Sequence, residues 1–274
     1  MARVLALSSH VAFGSVGLAI IVPALHCLGH EAMAVPTVVL SNHPGYARFA
    51  GDAVLPGQMA TMLDALEANG WLTDTAAIIT GYLPTPAHVR EAQSTVERVR
   101  RANARAIYLC DPVFGDESEG FYLSESTAAA IRDELWPLAT IATPNRFELS
   151  WLAGLPVGNP HEARRAAASL GVPTVLATSI PAGEAQLANV LVSGPEATAC
   201  LVHRRDRAPH GTGDLLSALY LGHVLNGEAP PTALALAAAG VEASVAASGG
   251  RDELPLAAAG VLWANTLALP TTSV

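Results

Sequence analysis

Cysteine is scarce in this chain, and the few cysteines present are not arranged to do chemistry. There are three in 274 residues, Cys27, Cys110 and Cys200, and no two of them form a CxxC pair. The cysteines therefore indicate neither a disulfide framework nor a zinc site. An odd number of cysteines with no CxxC pair is typical of a reducing compartment, and we therefore expect a cytoplasmic protein.

Basic side chains are also few. The chain has 15 lysines and arginines against 24 aspartates and glutamates, which gives a formal net charge of -9. Nucleic-acid phosphates are held mainly by clustered lysine and arginine side chains, so a nucleic-acid partner is not expected. The short basic runs at 98–101 and 204–207 are predicted to be solvated surface.

Long apolar runs are missing as well. The Ala-rich stretch TALALAAAGVEASVAA at 232–247 is interrupted by Glu242, and we expect no run long enough to cross a bilayer. The first residues, MARVLALSSH, resemble a buried strand more than a secretory signal. Neither a membrane partner nor a targeting segment is predicted.

Apolar surface is nevertheless abundant, since 51% of the residues are hydrophobic. Short apolar runs such as RVLALSS (3–9) and AAIITGYL (76–83) alternate with longer helical patterns such as PAHVREAQSTVERVRRAN (86–103). This alternation predicts an α/β fold with a mostly parallel sheet covered by helices on both faces. No linker or shift in composition divides the chain, so we expect a single domain over 1–274.

Two segments depart from the alternation. The Gly- and Pro-rich stretch SNHPGYARFAGDAVLPG (41–57) follows the second predicted strand and is predicted to be a flap over a site. The strands LANVLVSG (187–194) and ATACLVHRR (197–205) adjoin without a helix between them, which indicates an antiparallel edge. From Gly211 the pattern predicts three helical segments that end near Leu269.

Polar residues follow most of the predicted strands. In an open α/β sheet the ligand crevice lies beyond the carboxyl ends of the strands, so these residues are the candidates for a site. They are Ser8, Ser9, His10, Ser41, Asn42, His43, Gly81, Tyr82, Asp111, Asp116, Thr143, Asn145, Glu148, Thr178, Ser179 and Gly211 to Asp214.

The GTGD sequence at 211–214 supports two interpretations. In the simpler one, Thr212 caps a helix and Asp214 offsets the positive end of the helix dipole. In the functional one, the backbone N–H groups of the turn hold a phosphoryl group while Asp214 accepts a proton from an attacking alcohol. The second interpretation explains why an anion-binding turn carries its own carboxylate.

CDPVFGD (110–116) and TPNRFEL (143–149) present further carboxylates. Asp111 and Asp116 are compatible with a solvated turn or with Mg²⁺, which binds through few carboxylates, waters and substrate oxygens. Asn145 and Glu148, three residues apart, form either a helix capping arrangement or part of a phosphate site. Because three such motifs follow three different strands, the functional interpretation gains weight.

Other patterns are weaker. The glycines Gly14 and Gly17 form GxxG rather than GxGxxG, and no acidic residue follows the next strand, which disfavours an NAD-dependent oxidoreductase. A hydrolase is disfavoured because GxSxG is absent and the adjacent Ser9 and His10 diverge in an extended chain. Of nine histidines, only His43 in the flap is a candidate site residue, and the alternative is that it is an ordinary surface histidine.

The chain resembles the pyridoxal kinases of the ribokinase superfamily from about residue 3 to about residue 225. GTGD marks the superfamily of sugar and vitamin kinases, whereas SHV near the start together with SNHxGY is more specific to the pyridoxal branch. The motifs that carry the resemblance are SSHVAFGSVG, LSNHPGY, ITGYL, CDPVFGD, TPNRFEL, ATS and HGTGDLLSAL.

The resemblance implies a ribokinase-like three-layer αβα fold and ATP-dependent phosphorylation of the 5′-hydroxymethyl group of pyridoxal by a homodimer. By the same resemblance, a monovalent cation such as K⁺ is a further candidate cofactor. By matching motif, Asp214 is the implied base and Gly211, Thr212 and Gly213 the anion hole. The remaining implied roles are nucleotide binding by Asp111, Asp116, Asn145, Glu148, Thr178 and Ser179, metal binding by Asp111 and Glu148, and substrate binding by Ser9, Val38, His43, Pro44 and Tyr82.

Pro44 is the main departure, because the family carries threonine there in SNHTxY. Proline has no hydroxyl and no N–H, so a hydrogen bond from that threonine to the substrate has no counterpart. The preferred vitamer is therefore open. A hydroxymethylpyrimidine kinase and a catalytically weak protein that binds a B6 vitamer are the alternatives.

Overall fold

The structure, a computed structural model, describes residues 1–205, 207–257, 263 and 266–274. The strands are β1 (Arg3–Val11), β2 (Glu31–Leu40), β3 (Gly51–Ala53), β4 (Thr75–Thr80), β5 (Ile107–Cys110), β6 (Gly115–Asp116), β7 (Gly120–Phe121), β8 (Ile141–Ala142), β9 (Thr174–Pro181), β10 (Gln186–Ser193), β11 (Glu196–His203) and β12 (Thr271–Ser273). The helices are α1 (Leu18–Cys27), α2 (Pro56–Ala68), α3 (Pro86–Ala102), α4 (Glu125–Ala130), α5 (Arg146–Ala153), α6 (Pro160–Ala168), α7 (Thr212–Leu225) and α8 (Pro230–Ser248).

A ten-stranded sheet has the order β12-β11-β10-β9-β8-β5-β4-β1-β2-β3. Its centre, from β9 to β2, is parallel, and β10 and β11 form the predicted antiparallel edge. Two edge strands were not predicted. β3 lies inside the flap and pairs antiparallel with β2, and β12 near the chain end pairs with β11. β6 and β7 form a separate hairpin.

The alternation of side chains along β1 explains the three layers. Val4 and Ala6 pack into the core beneath α1, α7 and α8, whereas Leu5 and Leu7 pack into the core on the opposite face with α2 and α3. All four are fully buried. A strand that is apolar on both faces must be covered on both, so the sequence RVLALSS favours a central position in the sheet.

Local sequence sets the ends of several helices. Ser124 and Asn159 cap α4 and α6, because the side chain of each accepts a hydrogen bond from the backbone N–H of the third residue of its helix. Proline stands in the first turn of α2, α3, α6 and α8, where its missing N–H costs nothing. Helix α4 continues into a π-helical turn (Ile131–Leu135) and a 3₁₀ turn (Trp136–Leu138), which the sequence pattern did not distinguish.

Helix α8 corrects one expectation. With 19 residues and a mean hydropathy of 1.3 it is long and apolar enough, by length and composition alone, to cross a membrane, so the prediction that no run reaches that length was wrong. In the fold, 56% of this stretch is buried and it packs in the core with α7, which is how an internal helix behaves. The third predicted helical segment lies largely outside the described residues.

We expect Leu219→Ala to destabilise the fold strongly. Leu219 on α7 is fully buried, and its Cδ1 lies 2.7 Å from where a Cβ on Gly240 of α8 would be, so the two helices pack closely at this side chain. Truncating a buried leucine leaves a cavity and costs about 2–5 kcal/mol. Chemical denaturation measures the loss, with Leu267→Ala as control because Leu267 is 90% exposed. Equal effects of the two variants would contradict the packing.

Candidate active site

The predicted polar residues are aligned along one edge of the sheet because the backbone ladder continues past the strand ends. N–H groups just beyond three parallel strands donate to carbonyl oxygens of the neighbouring strand. These bonds are Gly81 N to Leu7 O (2.9 Å), Asp111 N to Thr80 O (2.9 Å) and Thr143 N to Cys110 O (3.1 Å). The residues after β4, β5 and β8 therefore share one rim, as the topology requires.

The turn before α7 is possible only with glycine at 211. Gly211 has φ 83°, in the left-handed region, and a Cβ there would lie 1.6 Å from the carbonyl oxygen of Ser15. Gly211 is also the residue that precedes the first turn of α7, and it has no side chain with which to cap the helix. The predicted capping role of Thr212 is therefore wrong, since Thr212 is already inside the helix.

Asp214 lies in the first turn of α7, next to the loop that follows β1. The N–H of Gly17 donates to Asp214 Oδ2 at 2.9 Å. On the other side, Asp214 Oδ1 lies 3.7 Å from where a Cβ on Gly81 would be. The GxxG glycine that carried little information in the sequence thus holds the carboxylate in place, and Gly81 leaves space beside it.

Burial makes the Asp214 carboxyl a weaker acid than usual. Removal from water raises its pKa to about 6, against the opposing effect of the hydrogen bond from Gly17. A carboxylate with a pKa in this range is ionised at neutral pH and still basic enough to accept a proton.

Asp111 is connected to α7 through a serine that the sequence analysis did not select. Ser217 Oγ donates to Asp111 Oδ2 at 2.8 Å and lies 2.9 Å from Thr143 Oγ1. Burial raises the pKa of Asp111 well above its usual value, and the charges of Glu148 and Asp214 raise it further. Ser217 follows Asp214 by three residues on one helix, and that spacing is the signal that could have identified it.

Asn145 and Glu148 form a capping box at the start of α5. Asn145 Oδ1 accepts from the Glu148 N–H at 3.0 Å, and Glu148 Oε2 accepts from the Asn145 N–H at 2.9 Å. Glu148 Oε1 accepts from the Phe114 N–H at 2.8 Å, which ties α5 to the CDPVFGD loop. Burial raises the pKa of Glu148 to about 7, although these N–H groups lower it. The capping interpretation is therefore correct, and the same box places Glu148 near Asp111.

Asp111 and Glu148 are chemically suited to Mg²⁺. They offer carboxylate oxygens, and they lie close enough for the charge of Glu148 to raise the pKa of Asp111. A divalent cation would relieve this repulsion between the two carboxylates. Both Glu148 oxygens accept backbone N–H groups, whereas Asp111 receives the Ser217 hydroxyl on Oδ2. No group of three His, Cys, Asp or Glu side chains suited to a metal occurs among the described residues, so the protein would supply only part of a coordination shell.

The other residues predicted for the nucleotide side differ in their settings. Asp116 accepts hydrogen bonds from Ser118, Glu119 and Tyr122 around the β6–β7 hairpin, so it is engaged within its own turn. Thr178 forms a parallel bridge with Asn145, which brings β9 beside the start of α5. Ser179 is exposed and has φ 59°, a left-handed conformation that is unusual for serine.

The residues predicted for the substrate side surround the ends of β1, β2 and β4. Tyr82 N donates to Ser8 Oγ at 3.2 Å, and Thr37 Oγ1 donates to Tyr82 O at 2.6 Å. Val38 is 6% exposed on β2 and pairs with the flap strand β3. Ser9 lies at an irregularity in β1, with Oγ 2.3 Å from where a Cβ on Gly17 would be, so it is adjacent to the loop that holds Asp214.

The flap lies against the segment that leads into α7. The rings of His43 and His210 are stacked with centroids 3.9 Å apart. The pKa of His43 is lowered, mainly by burial and to a smaller extent by the charge of His210. Tyr46 contacts His210 edge-on, at 6.1 Å between centroids. Pro44 lies between His43 and Tyr46 in sequence and is exposed. The predicted flap is thus positioned beside the residue that precedes Gly211.

Comparison with known proteins identifies the family. The sequence profile described as Phosphomethylpyrimidine kinase matches residues 24–255. A pyridoxal kinase of Corynebacterium diphtheriae is 34% identical over 245 residues, which cover 87% of each chain. The chain belongs to the pyridoxal kinase family. A pyridoxine/pyridoxal/pyridoxamine kinase of Bordetella avium is 37% identical over 233 residues, which cover 82% of this chain and 78% of the relative.

Solved structures agree with this assignment. Pyridoxal kinase from Leishmania donovani in complex with ADP and pyridoxamine has a TM-score of 0.94 and 28% identity, with 100% of both chains covered. Pyridoxal kinase from Entamoeba histolytica has a TM-score of 0.93 and 26% identity, also over 100% of both chains. The ribokinase-like three-layer fold and the kinase class expected from the motifs are therefore confirmed.

We expect alanine to destabilise the protein at Gly211 and not at Gly213, the two glycines of the kinase turn. In Gly211→Ala the added Cβ collides with the backbone of Ser15, and the alanine is held in the left-handed conformation. The conformational strain alone costs about 1–2 kcal/mol. Gly213 is exposed, helical and has open space around it, so Gly213→Ala is neutral or slightly stabilising. Thermal unfolding followed by circular dichroism measures both, and a Gly211→Ala variant as stable as the wild type would contradict the close approach of Ser15.

Proposed function

We propose that this pyridoxal kinase transfers the γ-phosphoryl group of ATP to the 5′-hydroxymethyl group of pyridoxal, with Asp214 as the general base. The observation that carries the proposal is the placement of Asp214. Its carboxylate is fixed by the Gly17 N–H in the first turn of α7. The N-cap residue of this helix is Gly211, which has no side chain to cap it. A base and an anion-binding helix end are thereby adjacent.

The proposed step begins with the alcohol. Asp214 accepts the hydroxyl proton as the alcohol oxygen bonds to the γ-phosphorus, and the bond from that phosphorus to the leaving ADP oxygen breaks. Fixing of the carboxylate by Gly17 orients Oδ1 toward the space beside Gly81. The pKa of about 6 leaves the carboxylate ionised before the step begins.

The proposed anion hole consists of the N–H groups of Gly211, Thr212 and Gly213. Such groups at a helix start point outward and carry the positive end of the helix dipole, so they stabilise negative charge. Because Gly211 has no side chain, none of these N–H groups is used by a cap from that residue. Charge that develops on the transferred group is met by donors already in place.

We propose that Asp111 and Glu148 hold the Mg²⁺ of Mg–ATP, with Asn145, Asp116, Thr178 and Ser179 lining the nucleotide side. Bound Mg²⁺ would neutralise phosphate charge during transfer. Asp111 is the better placed of the two for direct contact, since both Glu148 oxygens already accept backbone N–H groups. Ser217 and Thr143 orient the Asp111 carboxylate. A monovalent cation such as K⁺ remains part of the proposal on family resemblance alone.

On the substrate side we propose that Ser9, Val38 and Tyr82 contact the pyridine ring and that the flap with His43 and Pro44 covers it. The Thr37 hydroxyl, next to Val38 on β2, donates to the Tyr82 carbonyl oxygen, so the segment after β4 that carries Tyr82 is held beside β2. Solved relatives with pyridoxamine and with pyridoxine show that B6 vitamers bind to proteins of this fold. We further propose one domain over 1–274, a homodimer and a cytoplasmic location.

A hydroxymethylpyrimidine kinase is the second candidate, because the matching family profile carries that related description and Pro44 departs from the pyridoxal branch. The two substrates share a hydroxymethyl group on a nitrogen heterocycle. Assay of Mg–ATP with pyridoxal, pyridoxine, pyridoxamine and hydroxymethylpyrimidine distinguishes them. Product from hydroxymethylpyrimidine alone would replace the proposal, and no phosphorylated product from any of them would favour a vitamer-binding protein.

We expect Asp214→Asn to lower kcat by about 10²–10⁴-fold while ADP binding is retained, because the amide cannot accept the proton. The variant should remain folded, since burial disfavours the charged carboxyl that it replaces. Steady-state kinetics and calorimetry measure the two effects. Asp74→Asn is the control, because the Asp74 side chain is 81% exposed. Normal turnover by Asp214→Asn would exclude the base.

The same assignment fixes the pH dependence of the wild type. A base must be unprotonated, so kcat/KM should fall as pH drops below about 6, the raised pKa of Asp214, and should level off above it. An ordinary aspartate would place this limb lower, at about pH 4. A profile flat down to pH 5 would contradict the assignment.

We expect Pro44→Thr to raise kcat/KM for pyridoxal by about 3- to 10-fold, the value of one added hydrogen bond. The threonine supplies the hydroxyl that proline lacks at this flap position. Pro44→Ala is the matched control, because it removes the ring and adds no hydroxyl. An equal gain in both variants would attribute the effect to backbone freedom instead.

A further inference from the structure

Three segments that are distant in sequence meet at Glu253, a residue that no motif indicated. Two of them contact its carboxylate, and the third contacts its backbone. The Ser15 N–H donates to Glu253 Oε2 at 2.7 Å, and the Tyr46 hydroxyl donates to Glu253 Oε1 at 3.0 Å. His210 forms a parallel bridge with Glu253. Together these four residues, Ser15, Tyr46, His210 and Glu253, form the Glu253 junction.

One side of the Glu253 junction reaches Asp214. Ser15 is 2% exposed, and besides its N–H bond its Oγ donates to Leu254 O at 2.8 Å, so both its hydrogen-bond donors are fixed by residues 253 and 254. The Ser15 carbonyl lies against Gly211, and two residues later the Gly17 N–H holds Asp214. The position of the loop from Ser15 to Gly17 therefore sets the position of the candidate base.

The other side reaches the flap. Tyr46 ends the SNHPGY sequence, and its hydroxyl bond to Glu253 is a long-range side-chain bond between the flap and the rest of the protein. His43 of the same flap stacks on His210, whose N–H donates to Asp252 O at 2.8 Å. A flap that lies over the site thus contacts the same short segment that positions the loop beneath it.

We propose that Glu253 is a positioning residue that couples the flap to the general base, with one carboxylate oxygen on the Ser15 loop and the other on Tyr46. This inference rests on the proposed function. Glu253 contacts no reacting atom in this scheme; it acts through Ser15 and Gly17 on Asp214 and through Tyr46 on substrate enclosure. Two donors need two acceptor oxygens, which a carboxylate offers and a carboxamide does not.

The test compares Glu253→Gln with Tyr46→Phe in the full-length protein. Glu253→Gln leaves one acceptor for two donors, so kcat/KM for pyridoxal should fall by about 10- to 100-fold. The looser Gly17 bond to Asp214 should also shift the acid limb of the pH profile upward, because that bond lowers the pKa of the base. Asp111 is the other carboxylate that faces Asp214, and it is unchanged.

Tyr46→Phe removes only the flap bond, so it should raise KM for pyridoxal by about fivefold or more and leave the acid limb where it is. Added to Glu253→Gln, it should cause little further loss. Asp252→Asn is the matched control, because its carboxylate faces Arg207 at 2.8 Å rather than the loop, and it should match the wild type.

The outcomes separate this inference from the function on which it rests. A wild-type protein that phosphorylates no vitamer overturns the proposed function. An active wild type with a Glu253→Gln variant of unchanged kcat/KM and unchanged acid limb overturns the coupling alone. If Glu253→Gln does not fold by circular dichroism, Tyr46→Phe decides the matter, and an unchanged KM for pyridoxal overturns the coupling.

Discussion

The close approach of the loop after β1 to the start of α7 is the constraint on which the candidate site depends. The Ser15 carbonyl occupies the space that any side chain at 211 would need, and the Gly17 N–H reaches the Asp214 carboxylate at 2.9 Å. Two glycines make this contact possible, one with φ 83° and one with φ 55°. Because the loop continues from the central strand and α7 packs under the same sheet, the contact is fixed by the core.

A second feature of the site is its concentration of acidic groups. Asp111, Glu148 and Asp214 all have raised pKa values, with burial as the largest cause in each. Their stabilisation comes from N–H and O–H donors, chiefly Gly17, Ser217 and the backbone at 114 and 145. Such an arrangement is unfavourable by itself, and a cation bound to a nucleotide polyphosphate, as proposed for this site, would relieve it. The cost thus belongs to the site rather than to the fold.

Several sequence features had two interpretations that only contacts could separate. Asn145 and Glu148 form a capping box, so the local interpretation is correct, and Glu148 also lies near enough to Asp111 to raise its pKa. The phosphate-site interpretation of the same pair stays a prediction. In the simpler interpretation of GTGD, Thr212 was a cap; it is not, because the helix begins one residue earlier, at the end of a turn that only glycine can make. Local sequence predicts an N-terminus to within a residue or two, and a cap depends on the exact residue.

By itself, the sequence determined the three layers, the parallel centre, the antiparallel edge at β10 and β11, and the motifs that mark the family, because strand and helix periods and glycine turns are local properties. The tertiary structure decided the rest. Ser217 on Asp111, Gly17 on Asp214 and Glu253 between flap and loop join residues far apart in the chain. No periodicity encodes these partners, since packing of the sheet and helices alone brings them within hydrogen-bond distance.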